Sequence, residues 1–363
     1  MKPWSYSHTT KAAYTTRHVR LESACSVELA DRPETGDLVL ARVTELGQHY
    51  RLELPDGRRA TLYEGDEIVV AYGNRYAPDQ FEAVVPDDLR ECDLVAGGGI
   101  AATTLSQHSK MGCPTRIEPL GLLIDADGRR VNLRNWCLPD PSSLGASTSG
   151  ASTSGASKSG EGDVDPWTIV VTGSTMNAGK TTTAASIIRG LSASGRSVAA
   201  GKITGTGAGG DVWMMTDAGA NPVLDFTAAG HASTYLCTPD EITRSLRIVH
   251  GNLSSSRPDA IVLEIADGLL QRETSELLGS PLLADVADAL VFAACDALSA
   301  VGGVATLRQL GLPVVAVSGV LTASPLAAQE ARSGLDIPVL TPQELIGDPA
   351  VVLSCRLVAA EVA

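Results

Sequence analysis

The chain has 363 residues, enough for two domains, and 44% of them are apolar, enough to bury a sizeable core in each. Aromatics make up only 4%, so the cores must be built from Ala, Val, Leu and Gly, a composition suited to tightly packed α/β layers. The net charge of −14 argues against nucleic acid as a general partner, because a phosphate backbone needs a basic surface. The longest apolar run, near Ala289 to Cys295, is too short to span a bilayer. The first residues are polar, and no secretory leader is expected. The cysteines Cys25, Cys92, Cys113, Cys137, Cys237, Cys295 and Cys355 are odd in number and form no CxxC pair. They read as reduced thiols of a cytoplasmic protein, with neither a nucleic-acid nor a membrane partner expected.

From the N-terminus, residues 1–140 read as a small β-rich, barrel-like domain. Val39, Ala41 and Val43 alternate with Leu38, Leu40, Arg42 and Thr44, and short strands are predicted at 50–54, 59–62 and 67–71. Pro55-Asp56-Gly57 and Glu64-Gly65-Asp66 supply the turns. Short strands at this spacing fit a small barrel or sandwich. Two loops stand out as possible substrate contacts, Gly73-Asn74-Arg75-Tyr76-Ala77-Pro78 and Gly97-Gly98-Gly99. Residues 145–160 then repeat Gly-Ala-Ser-Thr/Lys-Ser, too polar to bury a core. Residues 141–165 are therefore expected to be a flexible tether with a reach of about 25 Å.

Residues 166–363 alternate strands and helices. Strands are predicted at 168–172, 197–201, 222–225, 260–265, 289–294, 313–317 and 338–340, with helices around 240–250 and 299–309, giving an α/β domain with a mainly parallel sheet. Ligands of such sheets bind beyond the carboxyl ends of the strands, so the residues that follow each strand are the candidates.

The first such junction is the most informative part of the chain. Val170 and Val171 lead into Gly173-Ser174-Thr175-Met176-Asn177-Ala178-Gly179-Lys180-Thr181-Thr182, and Ala184, Ile187, Ile188 and Leu191 follow at helical spacing. A strand, a glycine-bounded loop, Gly-Lys-Thr and a helix are the layout of a phosphate-binding P-loop. Gly173 and Gly179 let the backbone curl around phosphate oxygens, and the helix N-terminus favours negative charge. Lys180 is placed for the β- and γ-phosphates, Thr181 for Mg²⁺ and Thr182 for the α-phosphate. Ser174, Thr175, Asn177 and Ala178 complete the nucleotide-binding loop. Five residues separate the glycines instead of the usual four.

Later junctions supply the rest. Lys202 follows the second strand, placed to bridge the γ-phosphate and an anionic substrate. Asp211 is a candidate to orient a nucleophile or ligate Mg²⁺, and Asp225 a candidate base or metal-shell residue; His231 reads as structural. Glu264, then Asp267, stand where a P-loop protein keeps the acid for Mg²⁺ or its water shell. Ser318-Gly319 follows a strand where a base-contacting loop belongs. The guanine-reading Asn-Lys-x-Asp and the switch Asp-x-x-Gly are absent, which disfavours a signalling GTPase and leans towards ATP. The lack of a Cys/His cluster also disfavours a metallochaperone GTPase.

These motifs resemble the dethiobiotin synthetase-like branch of P-loop enzymes. Gly173 to Thr181 is similar to its long loop, with Ser174 in place of a threonine; Lys202 matches its second-strand lysine. Glu264-Ile265-Ala266-Asp267-Gly268 matches its Glu-Gly-x-Gly-Gly in part, and the stretch Ala289 to Gly311, ending Leu-Arg-Gln-Leu-Gly, is also similar. Ser318 stands where that family usually has asparagine. Thr204-Gly205-Thr206-Gly207, Asp225-Phe226 and Ala229-Gly230 further resemble P-loop proteins related to D-glutamate N-acyltransferase-type enzymes. The resemblance covers about half the chain and leaves the barrel without a counterpart. It implies ATP- and Mg²⁺-dependent activation of a small-molecule substrate by a kinase or ligase, with Lys180 and Lys202 neutralising charge, in a homodimer. The alternatives are a regulatory NTPase whose barrel recruits a partner, and a coenzyme A-dependent N-acyltransferase.

Overall fold

The computed structural model describes residues 2–7, 9–29, 32–141 and 165–353. Cys355 and the expected tether, apart from its ends Pro141 and Asp165, lie outside them. The chain divides into two compact units. Unit 1 contains Met1–Cys137, Thr204–Trp213 and Asp225–Thr238; unit 2 contains Leu138–Ile203, Met214–Leu224 and Pro239–Ala363. Two segments expected in the second domain therefore fold with the first, a departure from a single division near residue 140. No disulfide joins the described cysteines, and no described helix is long and apolar enough to cross a membrane.

Unit 1 is built on β1 (Lys2–Pro3), β2 (Lys11–Ala12), β3 (Ala24–Glu28), β4 (Leu38–Glu45), β5 (Arg51–Glu53), β6 (Arg59–Thr61), β7 (Glu67–Tyr72), β8 (Arg75–Tyr76), β9 (Phe81–Val84), β10 (Cys92–Ala96), β11 (Ile100–Gln107) and β12 (Thr115–Asp125). Five of them close a ring. β4 pairs β12 and β7, β7 pairs β11, β11 pairs β10, and β10 returns to β12. All these pairs are antiparallel except β7–β11. Closure removes the open edges that a small sheet would otherwise expose. It also explains why Leu38 to Ala41 are buried without a break: alternate residues of β4 enter two apolar clusters. Leu38 and Leu40 join Val69, Ala71 and Ile100, while Val39, Ala41 and Val43 join Ile68, Val70 and Leu122. Strands β8 to β12 have no counterpart among the predicted elements. β5 and β6 form the hairpin predicted around Pro55-Asp56-Gly57.

The second sheet, which apart from Asp225 belongs to unit 2, consists of β13 (Trp167–Gly173), β14 (Val198–Lys202), β15 (Val223–Asp225), β16 (Ala260–Glu264), β17 (Ala289–Ala293) and β18 (Val314–Ser318) in the order β15-β14-β16-β13-β17-β18. Neighbours from β14 to β18 in that order run parallel. Their near-continuous burial is that of strands covered on both faces. Val198 and Ala200 pack towards Ile187, Ile188 and Leu191 of the helix Lys180–Ala193. Gly201 lies against Val249 and Leu253 of the helix Pro239–Ser254, where a Cβ would come within 2.8 Å of Val249 Cγ1. Residues 338–340 form only an isolated parallel bridge, Val317 with Val339, where a strand was predicted.

Candidate functional site

Register lines up the candidates of unit 2. Lys202 and Val171 are the Cα partners of Glu264 on its two sides, Gly173 pairs with Ala293, and Ala293 with Ser318. The last residues of five parallel strands thus form one edge, the edge at which open α/β sheets bind ligands. The P-loop leaves this edge at Gly173, and the Lys180–Ala193 helix begins where the loop ends.

The loop is held from both sides. Ser174 N–H donates to Ala293 O at 2.9 Å, and Ala178 O accepts from Val320 N at 3.0 Å. Gly179 has φ +93°, and a Cβ there would meet Gly319 and Val320 at 3.1 Å. Asn177, at φ 64°, is left-handed too, a conformation asparagine adopts more readily than most residues. At Gly173 a Cβ would fall 2.8 Å from Lys180 Cγ, so glycine there makes room for the lysine stem. Lys180 is buried and its Nζ donates to Thr175 O at 2.8 Å. The lysine is folded over its own loop, where anionic oxygens can compete for it. Ser174 Oγ is buried without a protein hydrogen-bond partner. Thr175, Asn177 and Thr182 are exposed.

Beside the loop, Thr181 Oγ1 donates to Glu264 Oε1 at 3.1 Å, and Glu264 is buried. A hydroxyl and a carboxylate at this spacing are hard oxygen donors of the kind that Mg²⁺ accepts together with phosphate oxygens and water. These residues fit a Mg–nucleotide group. Asp267 has φ 63°, and the Ala266–Gly268 turn lies against the P-loop: a Cβ on Gly268 would be 2.5 Å from Ser174 O. Burial raises the Asp267 carboxyl above its usual range, against the opposing charges of Lys180 and Lys202 and with added repulsion from Glu273. Lys202 is itself buried. Two lysines, Asp267 and the Thr181–Glu264 pair therefore gather at one place.

A cavity of 290 Å³ opens next to the loop, lined by Gly179, Thr182, Gly319, Val320, Thr341 and Gln343 among others. Ser318 is fully buried, and it is the residues after it that line the cavity. Gly319 follows a parallel strand, a position that sequence can flag; Thr341 and Gln343 carry no such signal.

Two candidates belong to unit 1. Asp211 is in the first turn of the helix Gly210–Ala218, in the part assigned to unit 1. Asp225 also belongs to unit 1 and is 1% exposed. Arg17 Nη2 pairs with its Oδ1 at 2.8 Å, Tyr14 Oη donates to Oδ2 at 2.7 Å, and Thr227 N–H donates to Oδ1 at 2.9 Å. Burial opposes its charge, but Arg17 and the hydrogen bonds from Thr227, Arg17 and Tyr14 outweigh burial and hold the carboxyl below its usual range. Every partner is part of unit 1, so the carboxylate caps and fastens the short helix Phe226–Ala229 there. His231 is buried 3.6 Å from Cys237 Sγ, in keeping with a structural role.

No family model matches the chain, and no curated protein matches it. Among solved structures, the signal recognition particle receptor FtsY from Elizabethkingia anophelis is similar over 53% of this chain and 66% of its own, at 15% identity and a TM-score of 0.35. The same receptor in complex with GDP is similar over 59% and 69%, at 15% identity and a TM-score of 0.32. The chain thus spans about two thirds of the receptor's length. Neither likeness bears on the function of this chain.

Proposed function

We propose that this protein is an ATP- and Mg²⁺-dependent kinase or ligase that transfers the γ-phosphate to a carboxylate or similar oxyanion of a small metabolite. The observation that carries the reading is the convergence of Lys180 and Lys202 on Asp267, next to the Thr181–Glu264 pair, at the carboxyl edge of a parallel sheet. One lysine serves a bound triphosphate; a second, from the neighbouring strand, serves a second anion. In the step, a substrate oxygen forms a bond to the γ-phosphorus while the bond from that phosphorus to the β–γ bridging oxygen breaks, and ADP takes the electron pair. Lys180 neutralises charge on the transferred group and Lys202 orients the incoming oxyanion against it. Thr181 and Glu264 would hold Mg²⁺, which when bound neutralises charge on the phosphate oxygens. The base and ribose would occupy the cavity along Gly319 and Val320. In a ligase, an amine then attacks the acyl carbon and inorganic phosphate leaves. The motif resemblance to dethiobiotin synthetase-like enzymes supports this reading and favours a homodimer, and the scattered cysteines favour a cytoplasmic location.

Calorimetry tests it, with ATP, GTP and coenzyme A titrated against the wild type and Lys180→Ala in the presence of Mg²⁺. ATP binding lost in the variant, followed by ADP release only in the presence of a small carboxylate, is the expected result. Slow hydrolysis independent of any metabolite points instead to a regulatory NTPase. Coenzyme A binding with turnover in the absence of ATP points to an acyltransferase. Either outcome overturns the proposal.

A further inference from the structure

We propose that unit 1 carries a binding site for a small molecule bearing an oxyanion, a carboxylate or phosphate, held by Arg75 together with Arg51 and Arg59. The inference does not rest on the function proposed for the P-loop. Arg75, the first residue of β8, is 5% exposed. Its Nη1 lies 3.0 Å from His49 Nε2, its Nη2 donates to Gln80 Oε1 at 2.7 Å, and its Nε is buried without a hydrogen-bond partner. Neither partner carries charge. A guanidinium only donates, so His49 Nε2 accepts. Burial and then the Arg75 charge hold that imidazole at a pKa of about 4.

The guanidinium itself is thus buried against neutral groups. Burial lowers it to about 10, with only the more distant Asp79 acting the other way. Among the described residues no carboxylate comes within ion-pair distance of it. A buried charge in this state is costly until a counter-ion arrives.

Arg75 lines a 430 Å³ cavity, a size for a small metabolite, and every lining residue belongs to unit 1. Arg51 and Arg59 line it from the β5–β6 hairpin, in which Arg59 is the Cα partner of Glu53 and Arg51 is two residues from Glu53, so all three share a face. Glu53 is the carboxylate among the described lining residues, and both its oxygens are engaged. Oε2 accepts from Gly209 N at 3.0 Å and Oε1 from Trp213 Nε1 at 2.8 Å. Three guanidiniums therefore share the cavity with one committed acid. Gly97 and Gly98 add bare backbone to the lining, and at Gly98 a Cβ would fall 1.9 Å from Gly207 O, so no side chain fits there. Planar forks of this kind recognise carboxylate or phosphate with paired hydrogen bonds.

The P-loop is itself proposed to take phosphate, so the test uses Lys180→Ala protein. Inorganic phosphate and succinate are titrated into it by calorimetry. At least one is expected to bind, with affinity falling tenfold or more on adding Arg75→Gln. A threefold or greater fall is expected on adding Arg51→Gln and Arg59→Gln together, at exposed positions where folding is not at stake. The latter variant decides if Arg75→Gln does not fold. Phosphate alone binding identifies a phosphoryl ligand; succinate binding identifies a carboxylate. Binding of neither, or affinities unchanged by the arginine substitutions, overturns the proposal.

Discussion

Removing Arg17 tests whether Asp225 is held for structure. Arg17→Met deletes the guanidinium 2.8 Å from a carboxylate that is 1% exposed and leaves Tyr14 and Thr227 as its hydrogen-bond donors. Breaking a buried ion pair by removing one partner costs about 3–5 kcal/mol. The surviving donors place the cost at about 3 kcal/mol, and at roughly 2–4 °C per kcal/mol for a unit of this size the melt should fall by ~6–12 °C. The pH dependence has a definite sign. In the wild type the depressed carboxyl contributes stability above its unfolded value of about 3.9 and loses it as pH falls through the lower folded value. In the variant, burial without Arg17 lifts the folded value above the unfolded one. The variant is then weakest at neutral pH and recovers as pH falls through that raised value towards about 3.9. Circular dichroism melts of the wild type, Arg17→Met and Arg17→Met/Asp225→Asn between pH 7 and pH 4 read this directly. The double variant should regain most of the loss. A neutral-pH drop of under about 2 °C, or a deficit that widens towards acid, would show the reasoning to be wrong.

Three further outcomes are expected. Lys180→Ala should weaken Mg·ATP binding about a hundredfold or more by calorimetry while leaving the circular dichroism spectrum unchanged, since its Nζ bonds to the Thr175 carbonyl of its own loop and the sheet does not depend on that contact. Glu264→Gln keeps an oxygen for the Thr181 hydroxyl but removes its charge; Mg²⁺ should then improve ATP affinity about tenfold less than in the wild type, as read from titrations with and without the metal. Gly98→Ala places a methyl against Gly207 O and should cost about 1–3 kcal/mol, seen as a lower urea midpoint with an unchanged slope.

The parallel sheet was legible because its strands are runs such as Ile169-Val170-Val171 and Ile261-Val262-Leu263, buried on both faces and set apart by helices of clear period. The loop and the strand-end residues followed, since register carries Lys202 and Glu264 to the same edge. In unit 1 only β4 to β7 were legible; β1 to β3 were not read. β8 and β9 are short, and β11 runs from buried Ile100 into exposed Ser106 and Gln107, so neither has a lasting period. Asp225 shows the deeper limit. It follows an apolar strand just as a catalytic acid would, and the Arg17 that claims it lies 208 residues away in the chain. Local pattern places a residue at the end of a strand; it does not say which unit the next loop joins. The same limit applies to Arg75, whose loop was singled out, while His49 and Gln80 were not.

The shared ownership of unit 1 has a consequence for synthesis. The barrel strands are complete once Cys137 has been made, yet Glu53 waits for Gly209 and Trp213, and Arg17 waits for Asp225. Roughly a hundred further residues must leave the ribosome first, on the order of 5–20 s at ordinary elongation rates. During that interval the nascent chain holds an arginine and a glutamate whose partners do not yet exist. The first unit begun is thus completed only with the second half of the message, and an N-terminal fragment that stops in the Gly-Ala-Ser repeat is a barrel without its last two pieces.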